Sequence, residues 1–107
     1  MYKNYYGGGA SLEEYESDFV KWLVEQGYKK YTPSGNRSTA FEYADGVEKV
    51  RQRESLTETE MIKNIGMLIK KYDIGGAESE FGSMRHRIII NALKRYREFI
   101  LSNGGMK

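Results

Sequence analysis

The chain has 107 residues, of which 39% are hydrophobic and 30% charged, and a formal net charge of +2; this is the composition of one soluble domain with a modest core. The absence of cysteine and the single histidine exclude a disulfide framework, a thiolate nucleophile and most zinc sites. No apolar run reaches the roughly 18 residues that a membrane span needs, and the first ten residues do not follow the signal-peptide pattern, so we expect a cytoplasmic protein.

The first ten residues contain Tyr2, Tyr5 and Tyr6 followed by the run Gly7–Gly9. Such a segment is too short and too flexible to pack by itself, so we predict a flexible tail over residues 1–10. A loose terminus and an arm that orders on a partner are both compatible with it. We predict the folded domain over residues 11–103 and a flexible carboxyl end over residues 104–107.

The first predicted helix runs from Ser11 to about Gln26. Ser11 and Glu14 have the spacing of a capping box, in which each side chain bonds the other residue's backbone N–H. Gly27 supplies a left-handed stop. The connector that follows, YKKYTPSGNR, contains turn residues. The apolar stripe of this helix consists of Leu12, Tyr15, Phe19, Trp22, Leu23 and Gln26.

Two further capping boxes predict the second and third helices. Thr39 with Glu42 opens the second, in which Gly46 costs roughly 1 kcal/mol relative to alanine unless another backbone must approach closely there. Thr57 with Glu60 opens the third, which ends near Asp73. The predicted buried positions are Ala40, Tyr43, Ala44, Val47 and Val50 in the second helix, and Met61, Ile62, Ile65, Leu68, Ile69 and Tyr72 in the third.

The fourth predicted helix, capped by Ser83 and ending near Asn103, combines an apolar stripe with the densest basic cluster of the chain. From Ser83 onward, six lysines and arginines stand against Glu98 alone. A DNA-facing surface and a solvated helix face both fit this asymmetry. The stripe contains Ile88, Ile89, Ala92, Leu93, Tyr96, Phe99 and Ile100, and the opposite side contains His86, Arg87, Lys94 and Arg97.

No stretch alternates apolar and polar residues as a strand does, so we predict an all-α domain. Connections of about five to twelve residues favour a compact bundle of four helices with antiparallel neighbours.

Five parts of the chain carry a family resemblance. They are FVKWL (residues 19–23), Gly27-Tyr28, Ser38-Thr39, Tyr43 and NALKRYREFI (residues 91–100). Together they resemble the SAM-like core-binding N-terminal domain of phage integrases, the tyrosine recombinases, over about residues 12 to 102. The resemblance implies a compact four-helix SAM-like bundle that sits on one face of duplex DNA. Two features depart from that family: the connector is longer, and the catalytic domain is missing.

Clustered lysines and arginines neutralise phosphates, and short polar side chains reach base edges. By the resemblance, the start of the second helix and the fourth helix approach the groove. Against this stand the low net charge and the acids Asp45, Glu48 and Glu98 on the same elements. The predicted DNA-binding residues are Lys29, Lys30, Arg37, Ser38, Thr39, Arg87, Asn91, Lys94 and Arg97.

We expect no enzyme activity, no cofactor and no metal site, because no nucleophile, base or ligand cluster stands out. His86, between two arginines, is more typical of a polar surface residue than of a base. Tyr15, Tyr43, Tyr72 and Tyr96 lie on apolar stripes and are predicted core residues.

The rival hypothesis is a protein-interaction module. Ile90 and Leu101 fall inside the basic face of the fourth helix, where a monomer would expose them. Two apolar residues beside arginines are typical of a partner surface or a dimer seam. This would fit a small phage or mobile-element protein that binds a nuclease or recombinase, or that self-associates.

Overall fold

The computed structural model describes residues 17–103, and in this part of the chain it contains helices and no β-strand. The prediction of an all-α fold is therefore confirmed, whereas the prediction of four helices is not. The predicted tails over residues 1–10 and 104–107, and the capping box of Ser11 and Glu14, lie outside the described residues. The six described helices are α1 (Asp18–Glu25), α2 (Thr39–Arg53), α3 (Glu58–Lys63), α4 (Ile65–Tyr72), α5 (Ser79–Gly82) and α6 (Met84–Asn103).

Helix α1 begins later than predicted. Ser17 has extended backbone angles (φ −66°, ψ 160°), and its side chain accepts a hydrogen bond of 3.2 Å from the Val20 N–H. Ser17 is therefore the N-cap of the helix that carries Phe19, and the predicted start at Ser11 is wrong. At the other end Gly27 adopts φ +104°, as predicted. Gln26 is the exposed C-cap, so its assignment to the buried stripe is wrong.

Helix α2 begins at Thr39, with Ser38 rather than Thr39 as its N-cap, and Ser38 makes no side-chain capping bond. The predicted capping box of Thr39 and Glu42 is wrong. Its role passes to the backbone of the connector: the Lys30 carbonyl accepts from the Ser38 N–H at 2.7 Å, and the Lys29 carbonyl accepts from the Ala40 N–H at 2.9 Å. The connector thus satisfies donors that a helix start leaves without partners.

Gly46 marks a close contact between α2 and α6. A Cβ atom built on Gly46 would lie 3.0 Å from the Cβ of Ala92, which explains why the middle of α2 tolerates a glycine. Further along α2, the Arg53 guanidinium lies 4.1 Å from the ring centre of Phe81 in α5. The middle of α2 therefore packs on α6, whereas its end packs on α5.

The third predicted helix forms as two helices. The capping box is confirmed: the Thr57 side chain accepts from the Glu60 N–H at 3.1 Å, and the Glu60 carboxylate accepts from the Thr57 N–H at 2.9 Å. The helix is interrupted at Asn64 (φ −107°, ψ 12°). Its side-chain amide donates to the Glu60 carbonyl at 2.8 Å, a local bond of the kind that competes with the helical pattern.

The stretch between the third and fourth predicted helices contains the short helix α5, which packs tightly on the end of α4. A Cβ atom on Gly82 would overlap the Tyr72 carbonyl oxygen. Ser83, the predicted cap of the last helix, has right-handed helical angles, and its hydroxyl donates to the Ser79 carbonyl at 2.8 Å. That prediction is wrong, because Ser83 continues the preceding turn.

Residues 85–87 form a left-handed turn at the start of α6. Arg85, His86 and Arg87 have φ values of 52°, 60° and 66°. Each L-residue in this region costs roughly 1–2 kcal/mol, so the turn exists only because surrounding contacts enforce it. The regular right-handed part of α6 therefore starts after Arg87.

Helix α6 is central rather than a wall of the bundle. It packs against α1, α2, α4 and α5. On the side of α1, the Phe19 ring lies 5.2 Å from the Tyr96 ring, edge to face, and 5.4 Å from the Phe99 ring, which are favourable aromatic arrangements. The core residues of α6 are Ile89, Ile90, Ala92, Leu93 and Ile100.

Candidate nucleic-acid interface

The connector and the start of α2 bring five of the predicted DNA-binding residues together. A hydrogen bond of 2.8 Å from the Thr32 N–H to the Asn36 carbonyl closes the turn, and a β-bridge pairs Tyr31 with Arg37. The two lysine carbonyls then bind the first turn of α2. The residues gathered here are Lys29, Lys30, Arg37, Ser38 and Thr39, as predicted.

Arg37 does not extend freely from this cluster. Its guanidinium donates two hydrogen bonds to Asp45, at 3.1 and 3.4 Å, and lies 4.7 Å from the ring centre of Phe41. Both members of the ion pair are about half exposed, so water and salt screen the attraction. An incoming phosphate can therefore compete with Asp45 for this arginine.

The predicted basic face of α6 contains an acid that the sequence does not reveal. Arg87 lies 3.4 Å and Lys94 3.2 Å from the two carboxylate oxygens of Asp73. The Ile74 N–H, and then Lys94 and Arg87, hold the pKa of Asp73 below its usual range. Asn91 is half-buried, and Arg97 is exposed with no ion pair to an acid of the described residues. Of the lysines and arginines predicted on this face, only Arg97 therefore has no acidic partner in the part of the chain that the structure describes.

Ile90 and Leu101, the residues of the rival hypothesis, have opposite environments. Leu101 is 70% exposed, as predicted, but Ile90 is completely buried, so its predicted exposure is wrong. Both α2 and α4 pack against α6. Helix α6 therefore has a second buried side, which a single apolar stripe in its sequence does not indicate. The two residues do not form a common surface.

A cleft of about 420 Å³ lies between α2, α5 and the beginning of α6. Its rim carries Arg37 and two cations outside the predicted set, Lys49 and Arg85, together with Glu42 and Asp45. The only signal in the sequence was Gly46, which lies in the cleft and lets the helices approach. The apolar lining consists of Gly46, Phe81, Met84, Ile88 and Ile89.

A buried polar contact joins the end of α2 to α4. The Tyr72 hydroxyl donates a hydrogen bond of 2.7 Å to Glu54, which also pairs with Lys71 at 3.0 Å. Burial, and then the bond to Glu54, raise the pKa of Tyr72 far above its usual range. Partial burial opposes ionisation of Glu54, but the bonds from Tyr72 and Lys71 outweigh it and lower its pKa. With each group partnered, this cluster is structural.

Among residues 17–103, no group of three histidine, cysteine, aspartate or glutamate side chains has an arrangement that could hold a metal ion. None of the helices in this part of the chain has the length and apolar character required to cross a bilayer. Comparison of the chain with protein-family models, characterised proteins and solved structures finds no significant match.

Proposed function

We propose that this chain is a non-catalytic DNA-binding domain, similar in arrangement to the SAM-like core-binding domain of phage integrases. The observation that carries the proposal is the basic cluster of Lys29, Lys30 and Arg37 at the amino end of α2. The amino terminus of a fifteen-residue helix and the three cations all attract a phosphate. The backbone bonds from the connector hold the main chain of this cluster in a fixed position, so only its side chains would have to be ordered on binding.

In this proposal the connector supplies the main phosphate contacts, and the hydroxyls of Ser38 and Thr39 lie beside them. Contacts of this kind set the position of a protein on duplex DNA without reading its sequence. Arg97 of α6 adds a further cation. Arg87 and Lys94 contribute only when a phosphate replaces Asp73 as their partner, as it must replace Asp45 at Arg37. Their contribution is therefore smaller than the charge count of the fourth predicted helix indicates.

The test is an anisotropy titration of a labelled duplex of unrelated sequence at several salt concentrations. Three triple alanine variants, each losing three cations, are compared with the parent. We expect the connector variant to bind at least roughly tenfold more weakly and its salt slope to fall by about 0.9 for each lost phosphate contact. The variants are K29A/K30A/R37A for the connector, R87A/K94A/R97A for α6, and K21A/K63A/K70A as the control at exposed lysines without described ion pairs.

The control variant changes the net charge by the same amount, so it isolates the effect of position. If the control loses as much affinity as the connector variant, the attraction is unspecific and the assignment of the interface fails. A parent chain that does not bind duplex DNA at low salt refutes the proposal altogether.

The rival hypothesis of a protein-interaction module loses support at Ile90, because a completely buried residue cannot anchor a partner. Leu101 remains exposed, but a single exposed apolar residue is normal on a soluble protein. We therefore give precedence to DNA binding. Leu101→Ser would leave the oligomeric state unchanged in sedimentation velocity, whereas a shift from dimer to monomer would favour the rival.

A further inference from the structure

We propose that the cleft between α2, α5 and the beginning of α6 binds a small organic monoanion with an apolar body, such as an aryl or branched acyl carboxylate. The cleft is distinct from the connector cluster, although Arg37 reaches its rim. Its occupation is a property beyond DNA binding. The proposal rests on the shape of the cleft, the character of its floor and the charges at its mouth.

The floor of the cleft is apolar and incompletely covered. Met84 is 47% exposed, and Phe81 and Ile88 are half-buried. Ile89 and Gly46 close the bottom, where α2 and α6 approach each other. A volume of about 420 Å³ lies within the range of small-molecule sites in proteins. The methionine side chain is flexible and polarisable, so it adapts to aromatic and branched groups alike.

The charges at the mouth select an anion. Asp45 already holds two hydrogen bonds from Arg37. Lys49 and Arg85 are exposed and form no ion pair with an acid of the described residues. One acid, Glu42, remains on the rim without an ion pair in the same part of the chain. Two available cations against one acid favour a single negative charge, whereas a polyanion would be repelled by Glu42.

The position of Arg85 follows from the left-handed turn. In a continuous right-handed helix, Arg85 would lie on the same face as Ile88 and Ile89, which pack toward α2 and the core. With φ 52° at Arg85, the chain instead leaves this residue exposed while it lines the cleft. Arg85 thus adds a second available cation to Lys49 at the mouth of the hollow, above its apolar floor.

The experiment compares 2-naphthoate with the neutral 2-naphthalenemethanol, using the full chain labelled with ¹⁵N and amide chemical shifts as the readout. We expect saturable shifts for naphthoate at Gly46, Met84 and Ile88. Its affinity should exceed that of the alcohol by roughly three- to tenfold, which is the effect expected of two exposed ion pairs.

Two double variants at exposed positions test the role of charge. K49Q/R85Q should bind naphthoate no more tightly than the alcohol, because the two available cations are gone while Glu42 and the apolar floor stay. The control K63Q/K70Q removes the same charge at exposed lysines of α3 and α4 and should retain the preference. The amide spectrum of each variant reports directly whether it is folded.

Three results would overturn the proposal: no saturable shifts at millimolar naphthoate, equal affinity of the parent for the acid and the alcohol, or shifts confined to the separate hollow beside Val24 and Tyr31. An acetylated peptide with phenylalanine between two aspartates is the third probe. If the peptide occupies the cleft and naphthoate does not, the cleft is a protein-docking site instead. None of these outcomes depends on DNA, so the two proposals fail independently.

Discussion

Replacing His86 with glycine should stabilise this protein, although glycine is a poor helix former. His86 lies in the middle of the left-handed turn (φ 60°, ψ 40°). Its side chain is exposed, and within residues 17–103 no hydrogen bond, ion pair or ring contact holds it. Removing the imidazole therefore costs little, and the effect of the substitution is dominated by the backbone.

The magnitude follows from the backbone angles. An L-residue in the left-handed region costs roughly 1–2 kcal/mol, and glycine is free of this cost. Alanine retains the Cβ atom and therefore the penalty. We expect H86G to be more stable than H86A by about 1–2 kcal/mol. In a right-handed helix the order is reversed, and glycine is less stable than alanine by roughly 0.8–1.0 kcal/mol.

The assay is urea unfolding followed by circular dichroism, with the slope of the transition compared among variants. R97G and R97A form the matched control pair. Like His86, Arg97 is an exposed residue of α6, but its backbone angles are right-handed. There, glycine should be the less stable residue by about 1 kcal/mol. The difference in unfolding free energy between glycine and alanine should therefore have opposite signs at residues 86 and 97. Such a result would establish the left-handed turn, and charge does not affect it because both replacements are uncharged.

If H86G is less stable than H86A by the same amount as in the control pair, the turn is right-handed in solution. Arg85 would then lose its assigned place at the cleft, and Arg87 its assigned place beside Asp73. Neither the cleft nor the basic face of α6 would then have the arrangement of charges described above.

Three further substitutions test other contacts. In urea unfolding, Gly46→Ala should destabilise the protein by roughly 1–2 kcal/mol through overpacking. Its control is Gly66→Ala, where a Cβ meets nothing within 4 Å and which should stabilise the protein by about 0.4–1 kcal/mol. The same sign at both sites would contradict the close approach of α2 and α6. Tyr72→Phe should cost about 1.5 kcal/mol at pH 7. The folded-state pKa of Glu54 is lowered, so its ionised form stabilises the protein at pH values above its ordinary pKa of 4.5. This stabilisation is lost as the pH falls through the folded-state pKa, and the cost of Tyr72→Phe should therefore shrink in unfolding at acid pH. A cost independent of pH would refute the hydrogen bond. Asp73→Asn should strengthen duplex binding in the anisotropy titration and steepen its salt dependence by up to about two units, and an unchanged slope would show that the two cations it pairs with do not reach phosphates.

Some local signals in the sequence could be translated into structure, whereas the capping box of Thr39 and Glu42 could not. The capping box of Thr57 and Glu60 forms because both of its partners lie within one turn. Gly27 adopts its left-handed conformation because a helix must end there. The connector cluster was predictable for a similar reason, since a short turn brings its two ends together. These features depend on neighbours along the chain rather than on packing.

The errors that concern the surfaces depend on distant contacts. Ile90 is buried because α4 covers a second side of α6, and the sequence of α6 alone carries no trace of that helix. Asp73 reaches Arg87 and Lys94 only through the packing of α4 on α6. The left-handed turn at His86 has no glycine to signal it, so it could not be derived from residue preferences. The cleft is likewise a product of three elements that meet in space.

The carbonyl groups of Lys29 and Lys30 also determine how the basic cluster behaves over time. These carbonyls hold the amides of Ser38 and Ala40, so fraying of the first turn of α2 and release of the two lysines are the same event. Slow amide hydrogen exchange at Ser38 and Ala40 would therefore report how long the lysine pair keeps its geometry. A change that breaks these two hydrogen bonds would disorder the basic cluster while the core remained folded. Under the proposed function, the affinity for DNA would then fall without loss of the folded protein.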